Sequence, residues 1–339
     1  MREPLTGKVV FITGAARGIG AETARAAAAR GARLALTGLE PELLEALAAE
    51  LNAAGGLHVW YRCDVTDQAA LYEAAARTAE DLGGIDVVVA NAGIANMSTV
   101  AVSPPDELIK VIDVNLNGVI RTVSATLPYV TEAEGFFLLV SSAASFSALP
   151  AMAAYSASKA GIEHFGSALR LELAHKGVGV GTVHPAWIDT DMVREIRADL
   201  HSFNDIFHRM PGPLGTYSSA ERCAEAMIKG IEKRRRRIYV PRSVVLLQAM
   251  RWVFLSHVTD AYMRVAMPGV VPNIESEVEA LGRRFSERTL TEHALTAPPP
   301  ADPALGPGPE GGPSVPGRGG TEAGEHGRLD DPHEGIGEQ

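Results

Sequence analysis

A glycine-rich turn between a strand and a helix constrains this chain more than any other stretch. Residues 8–13 (KVVFIT) are a short apolar run typical of a fully buried strand. Gly14, Gly18 and Gly20 follow it directly, before an Ala-rich helix that runs to Arg30. Glycines permit a tight turn and let backbone N–H groups approach a pyrophosphate, which the positive end of the helix dipole also favours. The alternative is that these glycines only pack the helix against the strand.

Strand-like and helix-like segments alternate regularly through the first 190 residues and more loosely from there to residue 240. Short apolar runs predict further strands at residues 33–37, 59–62, 87–90, 136–140, 179–183 and 237–240. Helical segments are predicted between them at residues 41–54, 67–82, 106–130, 152–176 and 219–232. Such alternation gives right-handed crossovers and a parallel sheet covered by helices on both faces. The predicted fold class is therefore α/β, with a doubly wound parallel sheet.

A tyrosine and a lysine four residues apart, Tyr155 and Lys159, share one face of the predicted helix at residues 152–176. A phenol has a pKa of about 10, too high for ready proton transfer near neutral pH. A neighbouring ammonium favours the phenolate and lowers that pKa. The pair is thus suited to exchange a proton with an alcohol or carbonyl oxygen. The same spacing also arises by chance, as two solvated side chains on a helix.

Other motifs accompany this pair in a fixed order. They are Thr13-Gly14-Ala15-Ala16-Arg17-Gly18-Ile19-Gly20, Asn91-Ala92-Gly93, Asn115, Ser142 and Tyr155-x-x-x-Lys159. In this order and spacing they resemble the short-chain dehydrogenase/reductase family, over roughly residues 7–241. The resemblance implies a Rossmann-type sheet of seven parallel strands that binds NAD(H) or NADP(H), with the substrate over the carboxyl ends of the strands. It also implies that residues 1–241 are one catalytic domain.

The resemblance implies a role for each matched polar residue. Tyr155 is the expected general acid/base, and Ser142 is expected to hold the substrate oxygen. Lys159 would lower the pKa of the tyrosine and hydrogen-bond the nicotinamide ribose, and Asn115 would orient a water that relays the proton to solvent. Two alternatives stay open. The first is that Ser141 or Ser142 merely ends a strand, and the second is that Asn115 is only a polar residue that bends its helix.

The expected cofactor contacts follow the ends of several strands. They are Gly14, Arg17, Gly18, Ile19, Gly20, Asp64, Val65, Asn91, Ala92, Gly93, Tyr155, Lys159, Pro185, Ile188 and Thr190. By resemblance, residues 64–65 contact the adenine, residues 91–93 flank its ribose, and residues 185–190 meet the nicotinamide amide. Asp64 has the alternative role of leading into its helix. Ala186 stands where the family usually has glycine, and His184 is expected to be packed or solvated rather than catalytic.

The sequence favours NADP(H) over NAD(H). The second strand ends in Thr37-Gly38-Leu39, so no carboxylate stands where one would hold a ribose 2′-hydroxyl. Arg17, in the glycine turn, can meet a 2′-phosphate through a charge-assisted contact. Two features oppose this preference. Glu40 offers an alternative ribose ligand, and Leu39 takes the place of a second basic residue that is common in NADP-type relatives.

Residues 191–217 take the place of the family's substrate lid. Met192, Phe203, Phe207 and Met210 within them predict an apolar pocket and hence a hydrophobic alcohol or ketone. The alternative is that these side chains only pack the lid onto the domain.

Beyond the catalytic domain, residues 242–296 predict a helical extension. Its apolar stretch at 244–255 is shorter than the roughly 18 residues that span a bilayer. We expect it to pack within the protein or on another subunit, with peripheral contact to a membrane surface as the alternative. The basic run at 233–237 predicts a cationic helix end rather than a nucleic-acid site. A homodimer or homotetramer, built through the helices that contain Asn115 and Tyr155, is expected from the resemblance.

Residues 297–339 predict a disordered tail, because nine prolines and eleven glycines among 43 residues cannot bury a core. The tail carries a net charge of −6 out of −10, so the preceding residues are close to neutral and favour no nucleic-acid partner. Cys63 and Cys223 form no metal-ligand pattern, so no metal is expected. Free thiols and the absence of a signal peptide or membrane span predict a cytoplasmic protein.

The leading interpretation is a reversible carbonyl reductase or alcohol dehydrogenase. One alternative is dehydration or epimerisation on the same scaffold. Another is a nicotinamide-binding regulator without catalysis, although such proteins usually lack the tyrosine or the lysine and this chain has both.

Overall fold

Short apolar strands form the centre of the molecule. They are β1 (Val9–Thr13), β2 (Arg33–Gly38), β3 (His58–Arg62), β4 (Val87–Ala90), β5 (Phe136–Val140), β6 (Gly179–Pro185), β7 (Ile188–Asp189), β8 (Ser218–Ser219) and β9 (Arg237–Val240). Seven of them form one sheet in the order β3-β2-β1-β4-β5-β6-β9, with every neighbouring pair parallel. The two-residue strands β7 and β8 pair separately. The predicted seven-stranded parallel sheet is confirmed.

The computed structural model describes residues 4–147, 149–209, 215–266, 268–285 and 289. Its helices are α1 (Gly18–Ala28), α2 (Pro41–Ala53), α3 (Gln68–Leu82), α4 (Pro105–Ile112), α5 (Gly118–Glu132), α6 (Ala153–Leu173), α7 (Asp191–Asp199), α8 (His201–Arg209), α9 (Ala220–Ile231), α10 (Val244–Ala249), α11 (Arg251–Phe254), α12 (His257–Ala266) and α13 (Val270–Leu281). The chain divides into two units, residues 1–297 and 298–339. The predicted disordered tail and Met210 of the predicted lid lie outside the described residues.

Two apolar layers enclose the sheet. Successive strand residues point to opposite faces, so Ile12 and Leu138 pack with α1, α2 and α9, whereas Phe11 and Leu139 pack with α3, α5 and α6. All four side chains are fully buried. The strand order reverses between β1 and β4, which opens a crevice at the carboxyl ends of these strands. The fold therefore gathers the loops that follow β1, β2, β4, β5 and β6 at one edge.

The helical stretch predicted at residues 106–130 is interrupted. A π-helical turn at Asp113–Asn117 separates α4 from α5. The turn contains Asn115, whose Nδ2 and Oδ1 bond the backbone C=O and N–H of Ile94 at 2.9 and 2.8 Å. Such wide single turns often occur at functional sites. Periodicity alone does not reveal the turn, and the partner of Asn115 within it lies 21 positions earlier in the sequence.

The C-terminal extension differs in detail from its prediction. The apolar stretch at 244–255 forms two short helices, α10 and α11, which meet at Met250. Within the predicted helical extension at 242–296, α13 starts at Val270 and stops at Leu281. Gly282 ends it in the left-handed region, with φ 65°. Among the described residues, no helix has the length and apolarity required to cross a membrane.

Candidate active site

A cleft of about 240 Å³ opens at the carboxyl ends of the central strands. Every predicted catalytic or cofactor-binding residue lines it except Gly20 and Asn115. These two lie behind the wall, where they support residues that do line the cleft. The topology thus brings together side chains and backbone groups that are separated by up to 176 positions in the sequence, from Gly14 to Thr190.

The glycine turn is closely packed against the end of β4. A Cβ at Gly14 would lie 2.8 Å from the Cα of Ala92, and a Cβ at Gly20 only 2.1 Å from the Gly14 carbonyl oxygen. Asn91 fixes the turn from the other side, because its Nδ2 donates to the carbonyl oxygens of Thr13 and Gly14, each at 3.0 Å. Only glycine fits positions 14 and 20 in this arrangement.

The N-terminus of α1 suits an anionic group. Gly18 begins the helix at the cleft, no side chain caps it, and its first turn contains no acidic residue. The first N–H groups of a helix have no partner within that helix and carry its partial positive charge. This donor set fits a pyrophosphate bound between the glycine turn and the helix.

Arg17 pairs with an acidic residue beyond the end of β2. Its Nε atom donates to a carboxylate oxygen of Glu40, and its NH1 atom lies 3.9 Å from an oxygen of Asp191. The Arg17 side chain is 40% exposed and that of Glu40 18%. A ribose 2′-phosphate would therefore compete with Glu40 for this guanidinium.

Asp64 and Val65 lie at the end of β3. The Asp64 carboxylate accepts hydrogen bonds from the backbone N–H and the hydroxyl of Thr66, at 2.9 and 2.8 Å. The helix cap is Asp67 instead, which accepts from two N–H groups of α3. Val65 packs against Gly118, where a Cβ would lie 2.8 Å from it.

The two adjacent serines, Ser141 and Ser142, make different contacts. The Ser141 hydroxyl donates to the Lys159 carbonyl oxygen at 2.8 Å, which ties the end of β5 to α6. Ser142 lines the cleft together with Tyr155, and its hydroxyl acts to lower the pKa of that phenol. Its Oγ also accepts from the Ala144 N–H at 3.2 Å. Ser142 is thus the serine that faces the tyrosine.

Lys159 lies one helical turn after Tyr155 on α6. Its Nζ atom is 5.6 Å from the centre of the Tyr155 ring and donates to the Val140 carbonyl oxygen at 3.0 Å. Burial lowers the pKa of Lys159 to about 8. The ammonium therefore remains the main form at neutral pH.

The pKa of Tyr155 shifts in the direction opposite to the expected one. Burial raises it, and only the Ser142 hydroxyl opposes the increase. The reason is that the phenol packs against an apolar cluster that includes Met97, Met152 and Phe203. Removal of water from around a phenol disfavours the charged phenolate.

Asn115 lies fully buried behind Gly93. A Cβ at Gly93 would lie 3.1 Å from the Asn115 Oδ1 atom and 3.4 Å from the Lys159 Nζ atom. The Asn115 Nδ2 atom also donates to the Ser158 hydroxyl at 3.1 Å. Glycine at position 93 therefore leaves room for both the amide and the ammonium.

The loop after β6 tolerates its alanine. Ala186 packs partly buried against a cluster formed by Phe146, Val244 and Leu247, and its N–H donates to the Val240 carbonyl oxygen at 2.7 Å. Ala186 is not among the residues with positive φ. A Cβ at this position therefore introduces no backbone strain, and Pro185, Ile188 and Thr190 line the cleft.

The lid residues fall into two groups. Met192 lines the cleft. Phe203 and Phe207 are buried with their ring centres 5.1 and 5.9 Å from that of Trp187. These two aromatic residues pack the lid onto the domain, as one of the two sequence interpretations expects. Neither ring lines the cleft, but Phe203 belongs to the apolar cluster against which Tyr155 packs.

Sequence reasoning did not single out Glu163, which is buried one turn after Lys159 on the same helix face. Its carboxylate contacts His184, Thr182 and Arg237. The available signal was its i+4 spacing from Lys159 in an otherwise apolar stretch. Arg237 belongs to the basic run at 233–237, and Arg234 of that run donates to three backbone carbonyls. At least two of these basic residues therefore hold the fold together.

Comparisons with known proteins agree with this geometry. A family model described as short chain dehydrogenase matches residues 8–201. The chain is 37% identical over 191 residues to glycine betaine reductase ATRR of Emericella nidulans, covering 56% of this chain but only 15% of that protein. It is 36% identical over 189 residues to D-threitol dehydrogenase of Mycolicibacterium smegmatis, covering 56% of this chain and 73% of that protein.

A solved structure is also similar. The crystal structure of a short chain dehydrogenase from Mycobacterium paratuberculosis bound to NAD has a TM-score of 0.63 and 27% sequence identity, and the match covers 70% of this chain and 97% of that chain.

Proposed function

The chain belongs to the short chain dehydrogenase family, and from that premise we propose that it interconverts an alcohol and a ketone or aldehyde by hydride transfer. The protein is an NAD(P)-dependent oxidoreductase. One observation carries the more detailed proposal. Ser142 and Tyr155 both lie in the wall of the cleft that also contains the glycine turn, and the Ser142 hydroxyl acts to lower the pKa of the Tyr155 phenol.

The proposed reaction uses this pair to hold the substrate oxygen. In reduction, the carbonyl oxygen accepts the proton of the Tyr155 phenol while its carbon accepts the hydride, and oxidation reverses both transfers. Ser142 donates to the same oxygen and fixes its position. Because both reactants are held in contact, orientation supplies much of the rate acceleration.

Lys159 and Asn115 are proposed to serve the proton transfer. The Lys159 ammonium stabilises the phenolate that Tyr155 becomes after reduction. Asn115, which Ile94 and Ser158 hold in place, orients the water through which the proton is replaced. The position of both side chains beside Gly93, which lines the cleft, supports this relay.

We propose that the cofactor lies along the cleft, with its adenine at one end and its nicotinamide at the other. Asp64 and Val65 would contact the adenine, Asn91 to Gly93 its ribose, and the N-terminus of α1 the pyrophosphate. Lys159 and residues 185–190 would hold the nicotinamide end. When bound, the nicotinamide supplies or accepts the hydride at its C4 atom.

We propose NADP(H) as the preferred cofactor. Arg17 lies at the cleft beside residues 38–40, where no carboxylate directly ends β2. The Glu40 contact opposes this preference, because it partly neutralises the guanidinium. A 2′-phosphate carries more negative charge than one carboxylate and is expected to displace Glu40 from Arg17.

The proposed substrate is apolar around its reacting oxygen. Tyr155 packs against the cluster that contains Met97, Met152 and Phe203, and Met192 lines the cleft. A hydrophobic alcohol or ketone would cover these surfaces, whereas a strongly hydrated substrate would leave them in contact with water.

A homodimer or homotetramer is proposed through α5 and α6. Ile120 on α5 and Leu171 on α6 are exposed, at 39% and 67%. Burial of these side chains against a second copy would remove apolar surface from water.

A second proposal concerns the helices α10 to α12. Their exposed apolar side chains are Val245, Leu246, Met250, Trp252, Leu255, Val258 and Val265, with Trp252 74% and Val265 82% exposed. We name these residues the apolar surface. Arg242, Arg251 and Arg264 lie exposed along the same segment, with Asp260 as an exposed acid. The segment is thus apolar and cationic in a chain whose net charge is −10.

These properties fit the headgroup region of an anionic membrane. Trp and Leu side chains enter such an interface while arginines meet the lipid phosphates. A second copy is a poorer partner, because the same arginines would face each other. The basic residues at 233–236 are not part of this cationic segment. They precede β9, whereas α10 follows the opposite end of β9, and a strand of this length separates the two by about 13 Å.

The experiment that tests the principal proposal is a screen of hydrophobic ketones and alcohols with NADPH and NADH, followed by nicotinamide absorbance. Turnover of a carbonyl compound with stoichiometric cofactor oxidation is the expected result. Substrate conversion without net cofactor oxidation would instead indicate dehydration or epimerisation. Cofactor binding without turnover of any substrate would favour a regulator.

A further inference from the structure

His184 is fully buried beside the proposed catalytic serine, yet the proposed mechanism gives it no role. It lies near the end of β6, directly before Pro185, which lines the cleft. One ring nitrogen faces α6, and the other faces the turn that begins at Ser142. The protonation of this ring can be worked out from its neighbours.

The Nε2 atom of His184 lies 2.9 Å from a carboxylate oxygen of Glu163. Burial raises the pKa of Glu163, but its carboxylate also accepts hydrogen bonds from Arg237 at 2.8 Å and from Thr182 at 2.9 Å, which lower that pKa whatever the state of His184. An ionised carboxylate only accepts hydrogen bonds. Nε2 therefore carries a proton, because two lone pairs at this distance would repel each other.

The Nδ1 atom faces two further acceptors. It lies 3.3 Å from the Ser142 carbonyl oxygen and 3.3 Å from the Ser145 Oγ atom. The hydroxyl proton of Ser145 is already used in a 2.6 Å hydrogen bond to the same Ser142 carbonyl. Ser145 therefore offers Nδ1 a lone pair rather than a proton, and both contacts call for an N–H at Nδ1.

Two aromatic rings flank the imidazole. The Phe146 ring centre lies 4.6 Å from that of His184, and the Tyr239 ring lies 5.6 Å away and nearly parallel. A cation near the face of an aromatic ring is stabilised by the ring quadrupole. These two rings therefore favour a charged imidazolium at this buried position.

We propose that His184 is an imidazolium, paired with Glu163, and that it is a positioning residue which holds the Ser142–Ser145 turn in place through Nδ1. The inference rests on the proposed role of Ser142. The other charged and titratable neighbours of His184 are the Tyr239 phenol on β9 and Arg237 on the same strand, which acts through Glu163. Through Glu163, His184 and Arg237, the elements α6, β6 and β9 are thus connected to the backbone of Ser142.

The protonation state is tested directly by ¹⁵N NMR of the full chain with labelled histidine. The chain has ten histidines, so the His184 signals are assigned by their absence from His184→Phe, or from His184→Gln if the first variant does not fold. The expected result is two protonated ring nitrogens at neutral pH, and loss of one of these protons in Glu163→Gln. An unprotonated ring nitrogen in the native protein would overturn the imidazolium.

The positioning role is tested by kinetics. His184→Phe keeps a ring between Phe146 and Tyr239 but removes both N–H donors. We expect kcat to fall about 10- to 100-fold, because small displacements of reacting groups have effects of this size, with the dinucleotide Kd little changed. Phe146→Leu is the matched control, which perturbs the same packing but keeps the N–H groups, and it should retain most of kcat.

Two outcomes would contradict the positioning role: unchanged kcat in folded His184→Phe, or an equal loss in Phe146→Leu. Failure of the proposed function itself would look different. In that case Tyr155→Phe would turn over normally, while the NMR result for His184 would be unaffected.

Discussion

The Lys159 Nζ atom donates a 3.0 Å hydrogen bond to the backbone carbonyl oxygen of Val140, the last residue of β5. The same strand leads directly into Ser141 and Ser142. One contact therefore fixes the ammonium relative to the strand that carries the serine, while α6 fixes it relative to Tyr155. The three side chains are held together by the sheet and one helix rather than by a flexible loop.

The pH dependence of carbonyl reduction should report the protonation of Lys159. Burial lowers its pKa to about 8, so the ammonium is lost as the pH rises through about 8. We expect kcat/KM for reduction to fall over this range. Lys159→Arg keeps its charge there, so its activity should be lower but should lack this alkaline decrease. The same alkaline decrease in Lys159→Arg would assign it to another group.

The cofactor preference should depend on Arg17 and Glu40. Arg17→Ala should raise the KM for NADPH about tenfold, because a charge-assisted contact to the phosphate is lost, and should leave the KM for NADH little changed. Glu40→Gln should improve NADPH use, because it frees the guanidinium. Steady-state kinetics with both cofactors measures this. At least tenfold higher efficiency of the native protein with NADH would show that Arg17 is only structural.

The glycine turn should not tolerate a methyl group at position 20. The Cβ of Gly20→Ala would meet the Gly14 carbonyl oxygen at 2.1 Å, so we expect a loss of about 2 kcal/mol in the free energy of unfolding, together with weaker dinucleotide binding. Gly38→Ala is the control, because its Cβ would make ordinary contacts of 3.6 to 3.8 Å. Denaturant unfolding measures both variants. Equal stabilities would contradict the packing described for this turn.

Membrane contact should require the apolar surface. Replacement of Leu246, Trp252 and Leu255 by serine should reduce partitioning to anionic vesicles at least about tenfold, because the buried apolar area is lost. Vesicle co-sedimentation measures this. Ile109 and Leu171, exposed at 61% and 67%, lie on α4 and α6, and their replacement by serine should have no such effect.

Two results would count against this contact: no binding of the native protein, or equal binding to neutral vesicles. A concentration-dependent increase in mass in sedimentation equilibrium, abolished by the same three replacements, would assign the surface to a second copy instead.

The fold was predictable because each strand of the seven-stranded sheet contains a short apolar run, and because glycine or asparagine stands at the ends of β1, β2 and β4. Contacts between distant segments were not predictable. Glu40 lies 23 positions after Arg17, so only the folded chain shows that they pair. The burial of Phe203 and Phe207 against Trp187 depends equally on tertiary packing.

The predicted direction of the Tyr155 pKa shift was wrong for a related reason. The Tyr155/Lys159 spacing indicates a nearby charge but not the apolar cluster against which the phenol packs. The predicted domain boundary at residue 241 and the predicted tail stay predictions.

The most direct test of the account is the turnover of Tyr155→Phe compared with that of the native protein, with cofactor affinity measured alongside. Removal of one hydroxyl leaves the ring packing and the glycine turn unchanged, so the dinucleotide Kd should stay close to the native value. The account predicts that kcat falls by about a hundredfold to ten-thousandfold, the usual contribution of a positioned acid or base. Turnover at the native rate, with the same substrate and cofactor, would contradict the proposed role of Tyr155.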